Sequence, residues 1–210
     1  MNKPDRKTIL LLAFRTYFIR IFYNYNNLFG EGLCYCIFPF FSRSCTSSRE
    51  EVAAKHMMTF NTNEYLSGFA VGIILKTSES GEGDMERTKN ILSSVLGSVG
   101  DRLIYRLILP VIALSAANKF IISGFKPDAC SIAVIISLVA VFNIFNLWIR
   151  YFGISKGYDR GLESLKIFKS PVYTRIVRIL TAARNILTAL LVINFVIYLK
   201  VSNILLFFYN

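Results

Sequence analysis

The chain has 210 residues, of which 54% are hydrophobic and 14% aromatic, and its mean hydropathy is +0.48. Only 18% are charged, against about 25% in soluble domains, which argues against an ordinary water-soluble globule. The net charge of +11 admits a nucleic-acid or a membrane surface, and its placement decides between them. Arg150, Lys156, Arg160, Lys166, Lys169, Arg175, Arg178 and Arg184 lie between two apolar runs, opposed only by Asp159 and Glu163. Basic residues flanking spans mark the cytoplasmic side of a membrane, whereas a nucleic-acid reader gathers them on a folded basic face. No nucleic-acid partner is expected.

In chain order, residues 8–23 mix Leu10, Leu11, Leu12, Phe14, Phe18 and Phe22 with Arg15 and Arg20. That pattern predicts an amphipathic interfacial helix with its arginines at headgroup level. No small-residue cleavage site follows, so a cleaved signal peptide is not expected. Tyr23-Asn-Tyr-Asn-Asn27 is a polar aromatic link into Gly30-Glu-Gly32. Residues 33–41 are apolar but hold Pro39 and are too short to cross. Ser48 with Glu51 forms a capping box for a helix through Met58, and His56 reads as a surface histidine on it. The four cysteines, Cys34, Cys36, Cys45 and Cys130, show no zinc spacing and read as small apolar filler.

Phe60-Asn-Thr-Asn63 ends that helix. Residues 65–75, with Gly68 and Gly72, are only about 10 long and predict a re-entrant half-helix. Residues 76–89 carry Glu79, Gly81, Glu82, Gly83, Asp84 and Glu86 and read as a surface loop turning into a helix. Ser93, Ser94, Gly97, Ser98 and Gly100 follow, small residues of the kind that let backbones approach inside a bilayer. Asp101 precedes an apolar run over 103–122 that contains Arg106 and Pro110. A charge and a proline at membrane depth face a cavity or a partner. Asn61 and Asp101 each sit at a polar junction beside a short Gly/Ser-containing apolar run, the interrupted pair that points to a transport site.

A turn is expected over 123–128. Residues 130–149 then carry no charge, and about 20 apolar residues suffice to cross roughly 30 Å of hydrocarbon. Asn143 and Asn146 in this run are expected to hold helices together. The basic stretch 150–184 follows, then a last apolar run over 185–209 interrupted by Lys200. The expected fold is an all-α membrane protein with transmembrane helices, re-entrant half-helices and amphipathic interfacial helices, in a single domain over 1–210. Within it, 8–59 form N-terminal interfacial helices, 60–122 re-entrant and membrane segments, 130–149 a transmembrane helix, 150–184 a basic cytoplasmic stretch and 185–209 a C-terminal transmembrane helix.

Several motifs recur in a fixed order: Tyr23-Asn24, Gly32-Leu-Cys-Tyr-Cys-Ile-Phe-Pro39, Phe60-Asn-Thr62, Gly97-Ser-Val-Gly-Asp101 with Pro110, and Phe142-Asn143 through Arg150-Tyr-Phe-Gly153 to Gly157-Tyr158 and Gly161. Any one of them is weak, since Phe-Asn-Thr occurs widely by chance. Their shared order over roughly residues 14–195 resembles the IID component of the mannose/fructose/sorbose-type sugar phosphotransferase system. The resemblance implies a multi-pass subunit of the bacterial cytoplasmic (inner) membrane that pairs with a IIC subunit to form a hexose-conducting channel. Phosphoenolpyruvate-dependent chemistry would come from cytoplasmic IIA and IIB modules, with no cofactor and no phosphate on this chain. His56 therefore receives no catalytic role.

The chain departs from the family pattern in places. The glutamate and arginine after the aromatic-Asn pair are here Asn26 and Asn27, the proline after Gly-Asp is Arg102, and the arginine before Pro110 is Leu109. Asn63-Glu64 replaces a proline, Lys169-Ser-Pro171 a glycine-rich segment, and the chain ends earlier than its family. These changes open an alternative: a degenerate homologue acting as a non-transporting scaffold or regulatory membrane protein.

Sugar sites need amides and carboxylates to meet several hydroxyls, plus an aromatic or apolar face. Asn61 and Thr62, at the break between two helices, are candidates, and their alternative is a helix C-cap and turn. Asp101 either contacts sugar or N-caps the next helix. Asn24 lies among tyrosines that an interfacial aromatic belt also explains. Arg150, with Lys156 and Arg160, marks the cytoplasmic face, where it meets a IIB module or the anionic lipid of the bilayer.

Overall fold

In the computed structural model of the chain, which describes residues 4–44, 56–80, 84–126 and 128–209, every long element is helical. The helices are α1 (Arg6–Tyr17), α2 (Gly30–Ser44), α3 (Ser67–Ser80), α4 (Met85–Gly100), α5 (Leu109–Ile122), α6 (Ala129–Arg160) and α7 (Pro171–Tyr209). Short 3-10 turns lie at Ile19–Phe22, Glu64–Leu66 and Gly161–Lys169, and a π-helical segment at Asp101–Ile108 joins α4 to α5. The capping box at Ser48 and Glu51, and Cys45, lie outside the described residues. Three helical stretches are long and apolar enough to cross a membrane: Met85–Ile122, Ala129–Lys169 and Pro171–Ser202.

The chain divides into two compact units. The first comprises Met1–Asp101 and Ile144–Lys169. Asp5 starts α1 by accepting the Thr8 amide at 2.8 Å, an N-cap that satisfies one orphan donor of the first turn. The stripe Ile9, Leu12, Ala13 and Thr16 at helical spacing is buried and packs on α2, whose Leu33, Cys36 and Ile37 are fully covered. The helix expected over 8–23 is thus broken after Tyr17, where the chain tightens into a 3-10 turn. Leu10, Leu11 and Phe14 stay outward, as an interfacial face requires.

Helix α3 is buried on every side from Ser67 to Leu75. It runs on to Ser80, so part of the stretch expected as a surface loop continues the helix. Lipid tails are as apolar as leucine, so burial alone gives no drive for helices to associate in a bilayer; close approach and hydrogen bonding must supply it. Here the approach is made by two Gly-x-x-x-Gly pairs, Gly68/Gly72 on α3 and Gly153/Gly157 on α6. A Cβ on Gly68 would lie 2.8 Å from the Arg150 Cα, and one on Gly72 would lie 2.9 Å from the Ile154 Cα. In the other direction, a Cβ on Gly153 would meet the Phe69 amide nitrogen at 2.7 Å and one on Gly157 the Phe69 carbonyl at 2.8 Å. No side chain larger than hydrogen fits unless the helices separate.

The second unit comprises Arg102–Asn143 and Ser170–Asn210, and α5 packs along α7 within it. Asn118, 7% exposed, donates to the Leu187 carbonyl at 3.0 Å and accepts from the Asn194 amide at 2.9 Å. Asn118 and Asn194 therefore tie two helices together, the role expected of Asn143 and Asn146. Asn143 donates to the Val139 carbonyl of its own helix at 2.8 Å. Pro110 cannot supply the N–H that an α-helical bond to the Arg106 carbonyl needs, and Arg184 of α7 donates to that carbonyl at 3.2 Å. The α5 end turns at Gly124 and Phe125, both with positive φ, and Phe125 packs edge-on against Tyr198 at 4.8 Å.

Helix α6 gives its first part to the second unit and the rest to the first. Ile132, Ile135, Ile136, Val139, Val141, Ile144 and Leu147 on it are exposed, as the side chains of a span facing lipid are. The molecule is an all-α membrane protein. The basic stretch from Arg150 is helical: α6 runs to Arg160, where left-handed Gly161 (φ 56°) ends it as a C-terminal glycine does.

Candidate functional site

Three stretches of the first unit converge on the segment 60–64. Asn24 folds the first of them. Its Oδ1 accepts the amides of Asn26 and Asn27, each at 3.0 Å, and its Nδ2 donates to the Asn27 Oδ1 at 2.8 Å. Such side-chain-to-backbone bonds are what make asparagine a turn former. The turn brings Leu28 (φ 57°) back onto Asn24 and beside Phe60. The Phe29 amide then donates to the Phe60 carbonyl at 2.8 Å, and the Phe60 amide to the Asn27 carbonyl at 3.2 Å. Asn27 also reaches Glu31, its Nδ2 donating to Oε1 at 3.2 Å.

Along the segment itself, exposure alternates sharply. Asn61 is exposed, whereas Thr62 is 5% exposed and its Oγ1 has no hydrogen-bond partner among the described residues. Asn63, 2% exposed, accepts the Tyr65 amide at 3.1 Å and donates to the Asp101 Oδ1 at 3.0 Å. Gly100 makes that bond possible, because a Cβ there would occupy the space of the Asn63 side chain. Asp101 follows the last turn of α4 and opens the π-helical segment; it is exposed and does not N-cap a helix. Mid-helix π segments recur at functional positions. Glu64 is buried and pairs with Arg20 at 2.6 Å, the arginine side chain being 68% exposed.

Arg150 corrects an expectation. Its side chain is not offered to a docking module or to lipid but is 2% exposed inside the first unit. Nε donates to the Asn146 Oδ1 at 2.8 Å, and Nη1 donates to the Ser67 Oγ at 3.0 Å and to the Thr16 carbonyl. The rings of Tyr17 and Tyr65 lie 5.3 and 5.9 Å from its guanidinium carbon. Burying a charge costs heavily unless its donors are met, and here helices α1, α3 and α6 all contribute acceptors. Asn146, expected to join helices directly, does so through Arg150.

His56 is likewise corrected: it is 2% exposed and stacked on Phe41 at 5.6 Å, not on the surface. Lys156 is half-buried and Arg160 exposed; both line a cavity away from the 60–64 cluster. Cys34 and Cys36 are free and buried, and burial pushes the Cys36 thiol up to about 12. Sequence reasoning passed over Asn63, Glu64, Ser67 and Thr16. The signal for Glu64 was a carboxylate next to a buried helix start, which demands a cation within reach.

Known proteins resemble this chain in sequence and fold. Residues 3–203 match the family model for the "PTS system mannose/fructose/sorbose family IID component". The sorbose-specific EIID component of Lacticaseibacillus casei is 26% identical over 79% of this chain and 61% of its own length. The mannose-specific EIID component of Escherichia coli K12 is 24% identical over 69% and 52%, and the fructose permease IID component of Bacillus subtilis 24% over 79% and 61%. The chain thus spans between half and two thirds of the length of these relatives. Its fold matches a chain in the cryo-electron-microscopy structure of the mannose transporter ManYZ with microcin E492 (TM-score 0.66, 19% identity, 91% of this chain and 71% of that one). A second solved chain, described as a membrane protein, matches with TM-score 0.76 at the same identity and coverage.

Proposed function

The chain belongs to the IID-component family of mannose/fructose/sorbose-type phosphotransferase systems, and from that premise we propose that it works with a IIC subunit in a bacterial cytoplasmic membrane to take up a hexose. The relatives named for mannose, sorbose and fructose support a hexose-like substrate. Phosphoryl transfer from phosphoenolpyruvate belongs to IIA and IIB partners, and this chain supplies positioning. Catalytic residues are not assigned to it.

The observation that carries the reading is the hydrogen bond by which buried Asn63 ties exposed Asp101 to the segment that holds exposed Asn61. Asn63 holds the two polar junctions together, and amides and carboxylates are the groups that meet sugar hydroxyls. Thr62 adds a buried hydroxyl without a partner among the described residues. Asn24 shapes the neighbouring turn and acts through it. The IIC subunit would complete the site and the path, with one bundle moving against the other during transport.

The test is co-expression with a IIC neighbour and matching IIA/IIB modules, reading phosphoenolpyruvate-dependent accumulation of labelled hexose. Asn61→Ala and Asp101→Asn should each lower uptake while the complex still assembles. Undiminished uptake in both removes them from the site. A second reading, a non-transporting scaffold, is favoured by the turn that carries Asn26 and Asn27. Asn24, Asn27 and Glu31 bond one another there, a closed set with little left to offer a sugar. Stable assembly with IIC but no uptake of any hexose would establish it.

A further inference from the structure

We propose that the half-open cavity at the C-terminal end of α6 binds the phosphate-bearing headgroup of an anionic lipid. Its volume is about 340 Å³, and it is lined by Phe152, Lys156, Arg160, Glu163, Ser164, Lys166 and Ile167. All seven belong to the first unit. The inference rests on the membrane placement of this chain and not on its role in sugar uptake.

Three cations and one carboxylate face this space. Glu163 is held by Lys166 at 2.5 Å, and the Ser164 hydroxyl donates to the Gly161 carbonyl at 2.7 Å. Lys156, its ammonium 6.0 Å from the Phe152 ring centre, and Arg160, whose charge also acts on Glu163, are the two cations outside that ion pair. They sit four residues apart, on one face of α6. The left-handed turn at Gly161 folds the 3-10 segment back so that its own side chains close the cavity. A charged site made this way is formed by the bend and would not exist on a straight helix.

The apolar part of the lining identifies the source of the phosphate. Phe152 and Ile167 form a wall beside the cations, and Trp148 stacks on Phe152 at 5.3 Å. Trp148, Leu162 and Ile167 are exposed. Tryptophan beside basic residues at the end of a span is the composition of a headgroup-level belt, and basic pockets beside transmembrane helices take lipid headgroups. A soluble phosphate, or a phosphorylated protein, has no use for an apolar wall; the glycerol and first acyl carbons of a lipid do.

The test is native mass spectrometry of the full-length protein in detergent, titrated with phosphatidylglycerol, phosphatidylcholine or inorganic phosphate. One phosphatidylglycerol should be retained in preference to phosphatidylcholine. Lys156→Gln with Arg160→Gln should weaken that retention about thirtyfold, as expected for the loss of two surface cations. The charge-keeping pair Lys156→Arg with Arg160→Lys should restore it, which separates loss of the site from loss of the fold. Arg175→Gln with Arg178→Gln, basic residues on α7 outside the cavity, should leave it unchanged. Equal weakening by the α7 pair would replace the site with diffuse surface attraction. Competition by inorganic phosphate as effective as the lipid would replace it with a soluble-anion site. Either result overturns the proposal, and neither bears on whether sugar is transported.

Discussion

Asn63 and Asp101 join two helix breaks that lie 38 positions apart, the amide of one bonding the carboxylate of the other at 3.0 Å over a glycine. The same buried asparagine also caps the turn that begins α3. Position and stability are therefore coupled at this point. Losing Asn63 frees a carboxylate and uncaps a turn together.

Asn63→Ala is expected to lower the thermal stability of the detergent-purified protein, by about 1–3 kcal/mol for an orphaned buried group. Gly100→Ala should do the same by displacing the Asn63 side chain. Asp101→Asn keeps an acceptor and should cost less than either. A melt monitored by intrinsic fluorescence ranks the three, and Asp101→Asn ranking worst would refute the assignment.

The glycine crossing makes a sharper prediction. Gly68→Val or Gly153→Val forces side-chain atoms into the opposing backbone, so neither should yield folded protein in a fluorescence size-exclusion profile. Gly97 has open space around it, and Gly97→Ala should leave the profile intact. It should even stabilise slightly, since alanine favours a helix by roughly 1 kcal/mol over glycine. Normal profiles for both valine variants would show that the helices do not cross there.

Arg150 cannot be replaced by lysine without loss. One ammonium cannot hold Asn146, Ser67 and Thr16 in the fork geometry of a guanidinium. Arg150→Lys should therefore destabilise by about 2 kcal/mol. Arg150→Ala should cost more, because three acceptors lose their donor. If Arg150→Lys melts like the parent, the side chain faces solvent instead.

The cysteines divide by environment. Cys36 is covered and its thiol is raised to about 12, so its thiolate is scarce at pH 8 and only accumulates as the pH nears that value. Cys130 is exposed. A water-soluble maleimide should label Cys130 well before Cys34 or Cys36 in folded protein, with all three reacting after denaturation. Rapid labelling of Cys36 at pH 8 would contradict its burial.

Much of the fold was legible because membrane helices announce themselves by length and lack of charge. The uncharged run 130–149 falls inside α6, and the ordered motifs around Phe60 and Asp101 pointed to the family that the comparisons bear out. Tertiary partners were harder. Gly68/Gly72 and Gly153/Gly157 were visible as separate glycines, but nothing in one segment says which other segment it will touch. Arg150 was read as a boundary marker because arginines after a span usually are. Its burial depends on acceptors from Thr16 and Ser67, far away in sequence. His56 follows the same rule: its ring partner, Phe41, lies on α2, 15 positions earlier in the chain. Asn118 and Asn194 could have been singled out, being isolated amides in apolar runs where an unmet polar group is costly.

The Arg184 bond to the Arg106 carbonyl has a consequence for the oily layer around it. A proline at position 110 strips a carbonyl of its helical donor, and in hydrocarbon such an oxygen recruits a water molecule or deforms the leaflet to reach one. The guanidinium sits on that oxygen from the neighbouring helix. A turn that the proline would otherwise leave loose is thereby pinned to the helix beside it.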